Sequence, residues 1–210
     1  MILDCHIYRY ALVRDDLSIG SKVLWSYYCT QASVMVLSVG KDLDELLAER
    51  GGMLCLEGMT YANIPGEMLG MSRHRWNVAM SELRDAGLFR DDMLYFPLDM
   101  QVSGFFELRS KPGMTPWDIV FYSWILDRIE YGGGTMTDVT NAAIGASLGL
   151  TEYSVRKRKA GLYARGWLEA VRRGQMVYCA DPERAKVRGY IEPKVSSRKS
   201  SGPRLNLDRF

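Results

Sequence analysis

Residues 141–180 read NAAIGASLGL TEYSVRKRKA GLYARGWLEA VRRGQMVYCA, and the reading of this stretch decides the fold. Gly149 lies between two short segments of helical pattern, and glycine there supplies the positive φ that a tight turn requires. Thr151 has the side-chain oxygen of an N-cap, so a helix is predicted from Thr151 to about Ala164. Val155 and Leu162 are seven residues apart and share its inward face with part of the Lys159 stem. Glu152, Tyr153, Arg156 and Lys157 are left outward near the N-terminal end, with Ser154, Arg158 and Lys159 beside them. Gly166 stops the helix. Two short strands follow, with Arg172, Arg173 and Gly174 at the turn and Gln175 just beyond. Taken alone, the cation run 156–159 is no more than a solvated helix face. Here it falls on the second helix of a helix–turn–helix pattern, with another cationic cluster on the hairpin, and that combination suits a polyanion.

An earlier stretch repeats the pattern. Setting Gly70 against Gly149 gives an offset of 79, which places Gly66 on Gly145, Leu69 on Leu148, Met71 on Leu150 and Ser72 on Thr151. The same offset places Trp76 on Val155, Leu83 on Leu162 and Gly87 on Gly166. Each match has a physical reason: close helix crossing at the first glycine, a turn at the second, a cap at Ser72 or Thr151, and a shared inward face. The chain therefore reads as an internal duplication of one supersecondary unit, at a period too long for a solenoid.

Length and composition bound the rest. A chain of 210 residues with 47% hydrophobic content supports one large or two small domains with a real core. The net charge of +2 points to no partner, but its distribution does. Residues 1–112 hold 11 Lys+Arg and 15 Asp+Glu, a net of −4; residues 113–210 hold 16 and 10, a net of +6. A polyanion binds the second half first. Four scattered cysteines without a CxxC pair, and two histidines, exclude the familiar zinc spacings and suit a reducing compartment. Charges interrupt the N-terminal apolar stretch, and no apolar run reaches membrane-spanning length. A cytoplasmic, nucleoid-associated protein is the expectation, with no membrane partner.

Residues 2–13 suit a short strand or extended arm. Ser18 is placed to cap a helix over LSIGSKVLWSYYCTQASVMVL, and Lys41–Arg50 reads as a short amphipathic helix ended by Gly51-Gly52. Thr115-Pro116-Trp117-Asp118 signals another helix start, broken after Tyr131 by three glycines. Leu94 to Lys111 reads as extended structure around Ser103-Gly104, a long wing of the first unit followed by a linker at 110–113. A short helix is expected from Asp181 to about Gly189, and a basic, Ser-rich, disordered tail over 193–210. The triple glycine lacks both phosphate-loop frames, and no GxSxG, HExxH or Cys/His nucleophile pair is present. Scattered methionines suit core filling. A non-enzymatic protein with no cofactor and no metal is expected.

LGMSRHRWNVAMSELRDAGLF and LGLTEYSVRKRKAGLYARGWLEAVRRGQMVY together resemble the winged helix-turn-helix DNA-binding proteins of bacteria and phages. A tandem pair is similar also to plasmid and phage replication initiators. The resemblance implies an α+β, mainly α fold: a winged-helix domain over 1–110, a DNA-binding one over 111–192, and the tail. It further implies that the helix beginning at Thr151 reads the major groove of double-stranded DNA through Glu152, Tyr153, Arg156 and Lys157. Ser154, Arg158 and Lys159 suit phosphates, and Arg172, Arg173 and Gln175 suit the minor groove or backbone. The family commonly carries alanine where this chain has Gly66 and Gly145, so the first helix of each motif is expected to be slightly weaker. Two readings stand for the first unit. Arg73, His74 and Asn77 have groove-reading chemistry, whereas Asp91-Asp92 at its turn repels phosphate. The aromatic segment beyond, within residues 62–106, suits a protein partner or a homodimer. The expected role is transcription regulation, with replication initiation and a protein-interaction scaffold as alternatives.

Overall fold

The computed structural model describes residues 2–38, 40, 42–55, 60–91, 93–96, 104–131, 140–173 and 175–180. The described elements are mixed α and β and mainly helical, the class expected. The chain divides into two compact units, residues 1–123 and 124–210. The division falls inside helix α5, beyond the boundary expected at residue 110. No described helix is long and apolar enough to cross a membrane.

The first unit opens with β1 (Ile2–Tyr8) and the single turn α1 (Arg9–Leu12), then α2 (Ile19–Ser38). Helix α2 buries Val23, Leu24, Trp25, Tyr28, Cys29 and Ala32, more than one stripe of its surface, as befits a helix enclosed by other elements. Its polar groups find partners inside the unit. Trp25 Nε1 donates to Tyr95 O at 3.1 Å, and Thr30 Oγ1 accepts from His6 N at 3.0 Å. Helix α3 (Leu43–Glu49) is capped by Asp42, turns Leu43 and Leu47 inward, and ends at Gly51 and Gly52, both at positive φ. Strands β2 (Met53–Cys55), β3 (Phe89–Arg90) and β4 (Met93–Tyr95) form an antiparallel sheet in the order β2-β4-β3, with α4 (Arg73–Asp85) between β2 and β3 in the chain. Strand β5 (Phe105–Arg109) pairs with β1, not with β4. The expected long hairpin over 94–111 is therefore overturned: its two arms belong to different sheets.

The expected linker at 110–113 is also a packed turn. Ser110 is buried, Met114 N donates to Lys111 O, and Arg109 N donates to Ser123 Oγ at 2.7 Å. Helix α5 (Pro116–Tyr131) starts as anticipated. Asp118 N donates to Thr115 Oγ1, while Asp118 Oδ2 accepts from Thr115 N and Thr115 Oγ1, a reciprocal cap with Pro116 at the first helical position. In the second unit α6 (Asn141–Leu148) and α7 (Glu152–Ala164) are followed by the antiparallel hairpin β6 (Leu168–Arg173) and β7 (Gln175–Ala180).

The duplication is visible residue by residue. Helices α4 and α7 each have 13 residues, at the same offset of 79. Ser72 and Thr151 each accept from the backbone N three residues on, Arg75 and Ser154, at 3.3 and 3.2 Å. Gly70 and Gly149 stand at φ 64° and 66°. Met71 N donates to Gly66 O and Leu150 N to Gly145 O, at 2.7 and 2.9 Å. At the other end Gly87 and Gly166 are at φ 69° and 67°, and Leu88 N and Trp167 N donate to Leu83 O and Leu162 O. The turn that leads into each helix and the turn that leaves it thus both carry the six-to-one bond found around a C-terminal glycine.

The two glycines at the helix crossing have a sharper role than close packing of helices. A Cβ on Gly145 would lie 2.3 Å from the Leu150 carbonyl oxygen, and one on Gly66 3.0 Å from that of Met71. The chain leaving the turn passes over these residues and leaves no room for a methyl. The copies differ upstream of the turn. Where α6 has eight residues, the first copy has a 3-10 turn at Tyr61–Asn63 and one helical turn closed by Leu69 N donating to Pro65 O. The expected first helix of that copy is absent because Pro65 forces Ile64 to an extended conformation, φ −96° and ψ 149°.

The expected helix at 181–189, the tail 193–210 and the triple glycine lie outside the described residues.

Candidate nucleic-acid interface

Helix α7 is held by its ends and by one face. Thr151 caps it, and Val155 and Leu162 are buried in the unit whose α6 buries Ile144 and Leu148. A rotation of 100° per residue then dictates the rest. Thr151, Glu152, Tyr153, Arg156 and Lys157 are exposed, and Ser154 and Arg158 are half-buried. Tyr153 is 71% exposed, a large ring left in solvent on the first turn. Glu152 sits where a carboxylate complements the positive helix end, so it needs no cation beside it. The Thr151 hydroxyl accepts from Ser154 N and donates to Ser154 Oγ at 3.0 Å, which keeps this turn closed beneath the exposed side chains.

Lys159 departs from the expectation. The sequence predicts a phosphate contact with only part of the stem inward; the whole side chain is inward, 3% exposed, and Nζ donates to Asn141 Oδ1 at 2.8 Å. Burial pulls its pKa from 10.5 down to about 8, because the low-polarity interior disfavours the ammonium form. Of the four consecutive cations, Arg156 and Lys157 are the exposed pair. Periodicity held the signal: position 159 follows Val155 by four and precedes Leu162 by three, which is the buried stripe.

The hairpin continues from the helix through Arg165-Gly166-Trp167, with the Arg165 guanidinium 4.8 Å from the Trp167 ring centroid. Arg173 pairs with Gln175 and Arg172 with Met176, so Arg172, Arg173 and Gln175 stand at the tip of strands six residues long. At about 3.3 Å per residue such an arm reaches roughly 20 Å.

The first unit differs in both respects. Ser72 caps α4, and Arg73, His74, Arg75 and Asn77 are exposed, with Val78 44% exposed beside them. Arg75 Nη1 donates to Gly70 O at 3.2 Å and so ties itself to the turn. Trp76 is half-buried, its Nε1 donating to Tyr28 Oη at 3.1 Å. The hairpin after α4 is short: Arg90 pairs with Met93 across Asp91-Asp92. Arg90 and Asp91 form an exposed ion pair at 3.5 Å, so the turn presents no net cation there. Phe105, from the aromatic segment beyond, is 54% exposed with the His6 ring 4.5 Å away. Sequence reading missed Glu82, whose carboxylate accepts from Ser18 N and Ser21 Oγ and ties α4 to the start of α2. Contacts across 60 or so residues leave no local pattern.

Among the described residues, no group of His, Cys, Asp and Glu is gathered that would hold a metal ion. No family model matches the chain, and neither a curated protein nor a solved structure matches it.

Proposed function

We propose that the protein binds double-stranded DNA with sequence specificity through two winged helix-turn-helix units, and that it serves as a transcription regulator. The observation that carries this reading is the exposed face of α7. Arg156 and Lys157 stand there with Glu152 and Tyr153 on a doubly capped helix, and a hairpin tipped by Arg172 and Arg173 follows it directly. Arg, Lys and Glu on the first turns of such a helix match the donor and acceptor pattern of the major groove, and a cationic hairpin matches the flanking backbone. The first unit contributes through Arg73, His74 and Asn77 on α4 or through pairing of two copies. Binding, not catalysis, is the activity.

The repeated frame of α4 and α7 favours a second reading, replication initiation at an origin, since one chain then offers two reading helices. Selection of bound fragments from random and genomic DNA tests both. A site overlapping a promoter is expected for the regulator, and an array of repeats for the initiator. Enrichment of no duplex would refute both and leave a protein-binding scaffold. Replacing Arg156 and Lys157 with Ala should abolish selective binding with the circular dichroism unchanged. Retained selectivity would reject α7 as the reader.

A further inference from the structure

The buried stripe of α7 carries an amine where its repeat counterpart carries a thioether. Lys159 lies between Val155 and Leu162 on that stripe, and its Nζ–Oδ1 bond reaches Asn141, the first residue of α6, itself 7% exposed. At the offset of 79 stand Met80, 1% exposed, and Ala62, which is exposed in the 3-10 turn. Neither of those has a polar side chain, so the first copy closes the same helix without such a bond. An amine–amide pair inside a core gives no stability over an apolar pair of similar volume. What it adds is direction. Apolar contacts tolerate a small rotation or slide of one helix on another, but a 2.8 Å bond between two buried groups does not. Arg156 and Lys157 lie three and two residues before Lys159 on one rigid helix. Whatever fixes Lys159 therefore sets the direction in which those two side chains leave the unit.

We infer that Lys159 and Asn141 are positioning residues: their bond holds α7 at the rotation on α6 that delivers Glu152, Arg156 and Lys157 to base edges, while Lys159 itself meets no DNA. This rests on the DNA-binding reading above and deepens it.

The test uses the full chain with three variants: Lys159→Met, which installs the residue of the first copy; Asn141→Ala, which breaks the bond from its other end; and the two together. Each is titrated with the selected duplex and with a scrambled duplex of equal length, at several salt concentrations. Each single variant is expected to lower the ratio of specific to scrambled affinity about tenfold, the worth of roughly one base contact. The double variant should lower it no further, since either change removes the same bond. Affinity for the scrambled duplex and its salt slope should match the wild type. An unchanged ratio in either single variant overturns the inference, and so does an additive double variant. A salt slope shallower by about one in Lys159→Met alone also overturns it, by making Lys159 a phosphate contact. A wild-type protein that does not distinguish the two duplexes would reject the DNA-binding reading itself, and this inference with it.

Discussion

Replacing both Lys159 and Asn141 with their repeat counterparts, Lys159→Met with Asn141→Ala, should make the protein more stable at neutral pH. The pKa of Lys159 falls from 10.5 to about 8 through burial. At 1.36 kcal/mol per pH unit, carrying the charged form costs the folded state roughly 3 kcal/mol at pH 7. Met in its place removes that cost with similar volume, as at the buried Met80. Lys159→Met alone leaves the Asn141 carbonyl oxygen without the Nζ donor, at about 1–3 kcal/mol, so the single variant should be near neutral. Removing Asn141 as well recovers most of the gain, about 2 kcal/mol after the small void left by the shorter side chain. The pH dependence has a definite sign. A lysine whose folded pKa is depressed binds fewer protons folded than unfolded between about 8 and 10.5, so its contribution rises with pH across that window. The advantage of the double variant should therefore shrink from pH 7 to pH 10. Buried groups shifted upward, such as Cys5 and Tyr8, both to about 12, act in the opposite direction but equally in both proteins, and cancel in the difference. Urea unfolding followed by tryptophan fluorescence, at pH 7 and pH 10, reads both effects. A double variant less stable than wild type at pH 7, or a gap that does not change with pH, would refute the reasoning.

Other expectations follow from single contacts. Gly145→Ala gains about 1 kcal/mol of helix propensity but sets a methyl 2.3 Å from the Leu150 carbonyl oxygen, so a net loss of about 1–3 kcal/mol is expected in chemical denaturation. A stabilised variant would mean that the turn relaxes freely. Thr151→Ala removes the acceptor for Ser154 N and should cost about 1 kcal/mol, with a matching loss at Ser72→Ala; hydrogen exchange at the first turn of each helix reports it. The pair Arg172→Ala and Arg173→Ala should weaken binding evenly across duplex sequences and make the salt slope shallower by about two, which fluorescence titration at graded salt measures. A change confined to one sequence would assign the hairpin a base-reading role instead.

The features legible in the sequence are those built from neighbours. A glycine at positive φ, a Ser or Thr cap and a seven-residue apolar spacing all act within one or two helical turns. That is why Gly70 and Gly149, Ser72 and Thr151, and Leu83 and Leu162 could be paired from their letters alone. The same locality explains the errors. Ile64-Pro65 is a local signal too, but the pairing with Asn141–Leu148 suggested a helix, and proline sterics prevailed. Strand β5 pairs with β1 almost a hundred residues earlier, and no turn motif announces a partner at that distance. The stripe position of Lys159 predicts an inward stem, but its charge suggests an amine reaching out to phosphate, and the buried Asn141 acceptor that keeps the amine inside is 18 residues away. Of the outward set on α7, the exposed residues agree with helical rotation, which needs only the inward pair Val155 and Leu162 as reference.

The coincidence of α4 and α7 in length, cap and terminal glycine gives one backbone frame two different outer faces. Residues 73–85 and 152–164 enter and leave through the same backbone joints. The inward residues and the joints preserve the scaffold, and the outer face is released from it. Arg73 opposite Glu152, and Asn77 opposite Arg156, show that the frame accepts a cation, an anion or a neutral amide at its outward positions.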